Sequence, residues 1–469
     1  MVFISVIFLL FISSLEEEKL VFLLTLFRHG ARAPTKYYNE SLHLDYLFEK
    51  WENPGELTPT GRRMHYALGL RNREKYINQK HFLSEKFDPH EILIYSTSYN
   101  RTLESAASQL QGLYPFNTGG EITEKQKRHS LPPINISSNI KSELDKLNNN
   151  ALPFKMSLLP IRMINKKERK IGIDYLEGCR KTTDKIISKN TKNSVELKNL
   201  LKKFKETYSQ VLNKIYGTEM KYDQIFIERF CDSFISGITE AKKMEKFKDL
   251  NKEELLNICL NFSTINYRDI TGGGEERTIA ILEVSKLLPE FIYYMKQRID
   301  ADINKEDTQK NLEDYSKPKM LMISGHDYTI SMWEVFFIKY FLNNNNSKFI
   351  FPKFAAQLAL EVVTENNTDS SKKKNYNNYT INCYLNDDLF FTRKVDEFIN
   401  LVESNIFDDN KIDEYCQVKR NEKGNYFYLM IVFGILTGIL LILLVFFIIL
   451  ANMNKSIDIV NSENLMLLN

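Results

Sequence analysis

Residues 19–34 read KLVFLLTLFRHGARAP, an apolar run that is followed directly by a charged cluster. Its first half, from Val21 to Phe27, is a continuous apolar run, which is the pattern of a strand buried on both faces in a sheet covered by helices. The run stops at Arg28, so the charged residues that follow lie at the carboxyl end of the predicted strand. Ligands of open α/β sheets bind at that edge. The stretch therefore predicts an α/β fold with a binding site after this strand.

The charged cluster after the strand suits a dianionic ligand. Arg28 and Arg32 flank His29, and each guanidinium offers a planar fork of donors to phosphate oxygens. A neutral imidazole can attack phosphorus, and Gly30 lets the backbone turn closely past a ligand. Taken alone, the tripeptide RHG favours a basic surface turn, so its context has to decide between the two interpretations.

Two further segments provide that context. Residues 320–327, MLMISGHD, are a second apolar run that ends in His326 and Asp327. Residues 92–107, ILIYSTSYNRTLESAA, read as strand, turn and helix. They place Arg101 close to a helix amino terminus, a favourable position for binding an anion. We therefore expect three strands to deliver their side chains to one site.

Four motifs in this order resemble those of the histidine acid phosphatase family. They are RHGARAP at 28–34, LTPTGRRMHYALG at 57–69, STSYNRTLESA at 96–106 and SGHD at 324–327. The resemblance covers residues 20–415, which is most of the chain. It implies a phosphatase that hydrolyses small phosphate monoesters, since that is the activity of the family.

The resemblance also implies a role for each charged residue of the motifs. His29 would attack phosphorus and form a phosphohistidine, and Asp327 would give a proton to the leaving oxygen. The residues expected to bind the phosphate oxygens are Arg28, Arg32, Arg101 and His326. No metal or cofactor is expected, because three guanidiniums already supply the positive charge that a cation would provide.

The expected fold class is α/β. We predict a mixed, mostly parallel sheet with helices on both faces, similar to phosphoglycerate mutase, and an inserted, mainly helical smaller domain that covers the site. The core segments would be 19–118 and 319–416. The insertion would be 119–318, where apolar and charged residues alternate at helical spacing. A homodimer is left open.

The sequence disfavours three alternatives to an acid phosphatase. A membrane-anchored phosphate-binding protein without turnover would not need His29, His326 and Asp327 together. A phosphomutase would normally work in the cytosol, which the targeting segments described below disfavour. An inositol-polyphosphate phosphatase with a His-Ala-Glu acid arrangement is disfavoured by the His-Asp pair.

Composition excludes one class of partner and leaves the cysteine pairing open. The 469 residues include 63 basic and 60 acidic side chains, so a strongly basic nucleic-acid-binding domain is not indicated. The five cysteines form no CxxC motif or metal-ligand cluster, and they are compatible with disulfides in an oxidising compartment. The family resemblance implies a Cys179–Cys416 bond. A Cys231–Cys259 bond is an open alternative for two of the other three.

Two apolar segments predict a type I membrane protein. Residues 1–14, MVFISVIFLLFISS, are too short to span a bilayer and read as a signal peptide. Residues 427–450 carry no charge and are long enough for one transmembrane helix. The domain 19–425 would then be luminal or extracellular, and 451–469 would be a cytoplasmic tail. The positive-inside count disagrees, but a large translocated domain carries its flanking charges with it.

Sequons for N-glycosylation support passage through the secretory pathway. They occur at Asn39, Asn135, Asn261, Asn345, Asn366 and Asn378. A further sequon begins at Asn100, where a glycan beside Arg101 would block the predicted site. We expect that sequon to be unused.

The cytoplasmic tail, 451–469, predicts the membrane in which the protein is located. Glu463 precedes the pair Leu467-Leu468 by four positions, which fits an acidic dileucine signal for adaptor binding, although a chance apolar end is equally compatible. An acidic lumen would also protonate an Asp327 of ordinary pKa, which is about 3.9. We therefore expect a lysosomal or endosomal membrane, with the cell surface as the other location.

Overall fold

The structure is a computed structural model that describes residues 18–35, 51, 53–164, 179–272, 274–304, 318–343, 348–364, 375–416 and 423–466. The chain divides into two compact units, Met1–Cys416 and Gln417–Asn469. Several predictions fall outside the described residues: the signal peptide 1–14, the sequons at Asn39, Asn345 and Asn366, and the pair Leu467-Leu468. Of the other sequons, Asn135 and Asn261 are exposed and Asn378 is half-buried.

One mixed sheet organises the first unit. Its strands are β1 (Lys19–Arg28), β2 (Ile92–Thr97), β3 (Arg162–Ile164), β4 (Met320–Gly325), β5 (Gln357–Thr364), β6 (Tyr379–Leu385) and β7 (Asp388–Lys394). Among the described residues, their spatial order is β3-β2-β4-β1-β5-β6-β7. The neighbours from β3 to β1 are parallel, whereas β5, β6 and β7 follow as antiparallel neighbours. The predicted mixed sheet is confirmed.

The helices surround this sheet or form a separate helical layer. The α-helices are α1 (Pro59–Arg73), α2 (Asn100–Leu113), α3 (Glu124–Lys127), α4 (Ser138–Asp145), α5 (Arg180–Asn193), α6 (Val195–Tyr216), α7 (Gln224–Thr239), α8 (Lys252–Ile265), α9 (Thr278–Asn304), α10 (Asp327–Phe341), α11 (Val395–Asn405), α12 (Asp409–Cys416) and α13 (Lys423–Met466). Two π-helices span Glu74–Gln79 and Asn266–Thr271, and short 3-10 helices span Pro153–Lys155, Glu245–Phe247, Gly274–Glu276 and Tyr376–Asn378.

Both faces of the sheet are buried, as the continuous apolar run of β1 predicts. Alternate side chains of a strand point to opposite faces. Phe22, Leu24 and Leu26 accordingly pack into a core with residues of α9, α10 and α11. Leu23 and Phe27 pack into a second core with residues of α2 and of the π-helix that follows α1. Helices therefore cover both faces.

A separate apolar core holds the helical layer together. It contains residues of α6, α7 and α8, among them Phe204, Phe230 and Phe262. Two elements of the range 119–318, the predicted insertion, pack with the sheet and not with this helical core. The strand β3 pairs with β2, and α9 packs on the sheet face that carries Phe22. The helical layer with its own core is thus confined to the middle of that range.

Two disulfides join helices that are distant in sequence or neighbours in the helical layer. Cys179 bonds to Cys416, and Cys231 bonds to Cys259. The fifth cysteine, Cys383, is a buried free thiol in β6. The first bond joins the start of α5 to the end of α12, and the second joins α7 to α8.

The second unit contains the helix α13. Within it, Met430–Ala451 is long and apolar enough to cross a membrane, with a mean hydropathy of 3.2. This stretch overlaps the predicted span 427–450. Its existence as one apolar helix agrees with the sequence-based expectation.

Candidate active site

Three neighbouring parallel strands bring the predicted residues together. β2, β4 and β1 lie side by side, with Ser96 opposite Ser324 and Gly325 opposite Arg28. Their carboxyl ends open into a cavity of about 370 Å³. All six predicted side chains line it: Arg28, His29, Arg32, Arg101, His326 and Asp327. The structure thus places the whole predicted set at one site.

The geometry around His29 defines the protonation of its ring. The side chain is 2% exposed, and its Nδ1 lies 2.9 Å from the carbonyl oxygen of Gly30. A carbonyl only accepts hydrogen bonds, so Nδ1 carries the hydrogen and donates it. Burial, followed by the charges of Arg32 and Arg28, lowers the pKa of His29 well below its ordinary value. The imidazole is therefore neutral, with its lone pair on Nε2.

Arg28 and Asp327 form an ion pair inside the cavity. Arg28 Nη2 lies 2.7 Å from Asp327 Oδ2, and Arg28 Nη1 donates to the carbonyl of Pro352 at 2.7 Å. The guanidinium carbon also lies 4.3 Å from the centre of the Phe354 ring, a cation–π contact. Sequence reasoning did not predict Phe354, because it follows no motif. These contacts fix the orientation of Arg28.

The ion pair changes the acid–base behaviour that we expected of Asp327. Burial alone would raise its pKa, but Arg28 and then Arg32 outweigh burial, and the pKa of Asp327 lies below its usual value. The expectation of an ordinary aspartate, protonated simply by an acidic lumen, is therefore wrong for the ligand-free site. Asp327 is an ionised carboxylate there.

Asp232 of α7 is a site residue that sequence reasoning missed. It holds the fork of Arg32, with Nη2 at 2.8 Å from Oδ1 and Nη1 at 3.3 Å from Oδ2. Thr35 donates to Oδ2 from its backbone nitrogen at 2.9 Å and from its hydroxyl at 3.2 Å. The Asp232 carboxylate thus connects the helical layer to the loop after β1 through hydrogen bonds.

Arg101 and His326 complete the cavity wall. The Arg101 guanidinium lies 4.3 Å from the centre of the Tyr99 ring, at the amino terminus of α2. The rings of His326 and His29 have centroids 5.6 Å apart. Burial and the charge of Arg101 lower the pKa of His326 to about 3, so this ring is also neutral. His326 Nε2 lies 3.2 Å from the hydroxyl of Thr97, another contact that sequence reasoning missed.

The rest of the cavity wall is aromatic or comes from the helical layer. Tyr99, Phe351 and Phe354 contribute rings from the sheet side. The helices α7 and α8 and the π-helix after α8 contribute Glu228, Arg229, Asp232, Ile235, Phe262, Ser263, Asn266 and Tyr267. Among the residues that the structure describes, no group of three His, Cys, Asp or Glu side chains is arranged to hold a metal ion.

The cavity holds a neutral histidine between two arginines, with a third arginine and a His-Asp pair from adjacent strand ends, as the resemblance to the histidine phosphatases implies. The chain belongs to that class. The family model described as "Histidine phosphatase superfamily (branch 2)" matches residues 19–382.

Relatives in this family include acid phosphatases. The testicular acid phosphatase of Mus musculus is 35% identical over 172 residues, which are 36% of this chain and 37% of the relative. The lysosomal acid phosphatase of Xenopus laevis is 37% identical over 100 residues, or 21% and 22% of the two chains. The chain thus matches between about a fifth and two fifths of the length of these relatives.

Solved structures with a similar fold are phytases. The apo form of Hafnia alvei phytase has a TM-score of 0.53 at 13% identity, covering 86% of this chain and 99% of that chain. The phytase of Citrobacter braakii has a TM-score of 0.52 at 12% identity, covering 86% and 100%. At such low identity the likeness shows the fold alone.

Proposed function

We propose that this protein is an acid phosphatase that hydrolyses small phosphate monoesters through a phosphohistidine intermediate. The observation that carries the proposal is the state of His29 in its surroundings. It is a neutral imidazole with the lone pair on Nε2, and it shares a cavity with three guanidiniums and a carboxyl group. The low pKa of His29 matters here, because it keeps the nucleophile neutral even in an acidic compartment.

The residues support a two-step displacement. Arg28, Arg32 and Arg101 neutralise the phosphoryl oxygens and hold phosphorus in line with Nε2 of His29. The Nε2–P bond forms while the ester P–O bond breaks, and the leaving oxygen takes a proton from Asp327. Water then attacks the phosphohistidine and gives its proton to the Asp327 carboxylate. Phosphate leaves, and the lone pair returns to Nε2.

The first prediction tests this mechanism with the purified full-length protein. Replacing the nucleophile, His29→Ala, should lower kcat for an aryl phosphate by more than about a thousandfold, because the covalent route is lost. His129→Ala is the matched control, since that histidine is exposed and outside the cavity, and its activity should equal the wild type. Chelators should leave the wild-type rate unchanged.

Loss of the proton donor, Asp327, should lower kcat to a different extent for different leaving groups in the same assay. Asp327→Ala should lower kcat by about a hundredfold or more for an alkyl phosphate and by much less for an aryl phosphate with an acidic leaving group. Wild-type turnover in His29→Ala would reject the phosphohistidine. Equal losses for both leaving groups in Asp327→Ala would reject the role of Asp327 as the acid.

We propose a lysosomal or endosomal membrane, or the cell surface, as the location, with the catalytic unit in the lumen or outside the cell. Three observations support this: the apolar stretch Met430–Ala451, two disulfides that suit an oxidising compartment, and lysosomal acid phosphatases among the relatives. The expected sorting pair, Leu467-Leu468, lies outside the described residues, so adaptor binding stays a prediction, as does a homodimer.

A further inference from the structure

The charges around the cavity nearly cancel. Among the described residues, its lining contains four guanidiniums and three carboxylates: Arg28, Arg32, Arg101, Arg229, Glu228, Asp232 and Asp327. The rings of His29 and His326 are neutral, because burial lowers the pKa of each. The side chains that line the cavity therefore carry a net charge of +1, one positive charge more than the carboxylates balance.

Asp232 contributes a permanent negative charge to this balance. It accepts four hydrogen bonds, two from Arg32 and two from Thr35. Its neighbour Cys231 is bonded to Cys259, which fixes this turn of α7 against α8. Burial alone would raise the pKa of Asp232, but Arg32 outweighs burial and holds it below the usual value. Asp232 is therefore ionised at neutral and mildly acidic pH.

We propose that Asp232, acting through Arg32, is a specificity-determining residue that restricts the site to a phosphate group bound together with one proton. This inference rests on the proposed phosphatase function and deepens it, since it assigns the preferred ionic form of the substrate. The reasoning is one of charge balance. A phosphate dianion alone would leave a net charge of −1 in the buried cavity, whereas the dianion plus one proton leaves it neutral.

An unbalanced buried charge is costly, because the cavity replaces the water that would solvate it. The second pKa of a phosphate monoester is about 6, so the singly charged form prevails only in acidic solution. Without the carboxylate of Asp232 the free site would carry +2, and a bare dianion would be balanced. Because of the negative charge of Asp232, phosphate should therefore bind more tightly at acidic pH.

The bound proton has three places available. It can stay on the phosphate, move to Asp327, or move to His326, because an adjacent dianion raises the pKa of both the carboxyl group and the imidazole. The other ionisable groups that line the cavity with Asp232 are Arg28 at the end of β1, His29 and Arg32 in the loop after it, Tyr99 and Arg101 at the start of α2, Glu228 and Arg229 on α7, Tyr267 in the π-helix and Tyr328 in α10. The charges of Glu228 and Arg229 cancel each other, so the net charge of the cavity depends on Asp232.

The test measures phosphate binding by the full-length protein, with inorganic phosphate as the probe. Calorimetry in buffers of different ionisation enthalpy should show that the wild type takes up between about half a proton and one proton per phosphate bound at pH 7.5. Inhibition of aryl phosphate hydrolysis by phosphate should weaken by about tenfold per pH unit above the second pKa of phosphate, the slope for one linked proton.

Three variants assign this linkage to Asp232. Asp232→Asn should reduce the pH dependence of phosphate inhibition to less than half of the wild-type slope. This substitution removes the negative charge of the side chain and nearly keeps its shape. Asp232→Glu keeps the charge and should keep the slope. Asp223→Asn is the matched control: Asp223 caps the same helix by accepting from Phe226 N at 3.0 Å, outside the cavity, and the wild-type slope should persist.

Two results would overturn the inference. One is a wild-type protein that takes up no proton on binding phosphate at pH 7.5, which needs no variant to fold. The other is an Asp232→Asn protein with the wild-type slope, whatever its absolute affinity. Failure of the proposed function looks different, because phosphate would bind with the expected proton linkage while aryl phosphates were not hydrolysed at any pH.

Discussion

At the scale of single residues, His326 is oriented by a chain of hydroxyl groups. The Thr102 hydroxyl donates its hydrogen to the carbonyl of Tyr99 at 2.8 Å. A hydroxyl has only one hydrogen, so in the 2.6 Å contact between Thr97 and Thr102 the donor must be Thr97. The Thr97 oxygen is then free to accept from Nε2 of His326 at 3.2 Å. This chain fixes both the ring and its tautomer.

The second prediction follows from this chain. Thr102→Val keeps the shape of the side chain but removes the hydroxyl, so Thr97 loses its acceptor and His326 its fixed tautomer. One hydrogen bond is worth about 0.5–1.5 kcal/mol, so kcat/KM for an aryl phosphate should fall by about threefold to tenfold. Thr102→Ser should restore the wild-type value.

A matched control is needed because Thr102→Val also removes the sequon at Asn100. Asn100→Gln removes the same sequon and leaves the hydroxyl chain intact. It should behave as the wild type. If Asn100→Gln loses as much activity as Thr102→Val, or if Thr102→Ser does not recover, the hydroxyl chain does not position His326.

Some contacts of the site were predictable at this scale and others were not. Arg28, His29, Arg101, His326 and Asp327 follow apolar runs, and strand ends of a parallel sheet meet at one edge. Asp232 has no such signal, because it stands inside an amphipathic helix and its partner Arg32 is 200 residues away in sequence. Only the packing of α7 against the loop after β1 makes it part of the site.

At the scale of elements, two glycines allow α1 to lie directly against the loop that carries His29. A Cβ on Gly30 would lie 2.4 Å from the carbonyl oxygen of Gly61, and a Cβ on Gly61 would lie 2.2 Å from that of Ala31. Thr58, the residue that caps α1, donates from its backbone nitrogen to the same Ala31 carbonyl at 3.0 Å. The start of α1 therefore supports the catalytic loop by backbone contact.

The third prediction tests this support. Gly61→Ala would force the loop and the helix apart, and overpacking of this kind costs about 1–3 kcal/mol of the unfolding free energy. We expect a lower melting temperature and a lower kcat, since His29 and Arg32 shift with the loop. Gly120→Ala is the control, because no atom lies within 4 Å of the added Cβ. A Gly61→Ala protein with unchanged kcat and melting temperature would contradict the role of this contact.

Two elements within the predicted insertion 119–318 pack with the sheet, and the sequence carries no signal for this packing. The strand β3 has only three residues, and Met163 in its centre is 61% exposed. Without an apolar run it gives no strand signal in the sequence, and pairing with β2 alone defines it. The helix α9 has the same helical period as its neighbours in sequence, so periodicity does not reveal that it packs on the sheet rather than in the helical layer.

At the scale of the whole molecule, a carboxyl group lies in the main core. Glu334 of α10 is fully buried, and its Oε1 accepts from the backbone nitrogen of Ile350. Its Oε2 is buried without a hydrogen-bond partner among the described residues. Burial raises the pKa of Glu334 well above its usual value. The folded protein therefore holds this carboxyl in its protonated form.

A raised pKa in the folded state makes stability depend on pH in a defined direction. Above the ordinary glutamate pKa of about 4.3, the unfolded chain has lost this proton while the folded protein still binds it. The unfolding free energy therefore falls as pH rises, by up to about 1.4 kcal/mol per pH unit, until the folded pKa is passed. This contribution is fully present only below the unfolded pKa, and it favours an acidic environment.

The last prediction isolates this contribution by comparing proteins rather than pH values, because the lowered pKa values of Asp232 and Asp327 act in the opposite direction. Glu334→Gln cannot ionise, so its unfolding free energy relative to the wild type should increase steadily between pH 5 and pH 7.5, as measured by denaturant unfolding of the full-length protein. Glu414→Gln, which removes an exposed carboxylate of α12, should show a constant difference over the same range. A difference for Glu334→Gln that does not change with pH would mean that the buried carboxyl is already ionised in the folded protein.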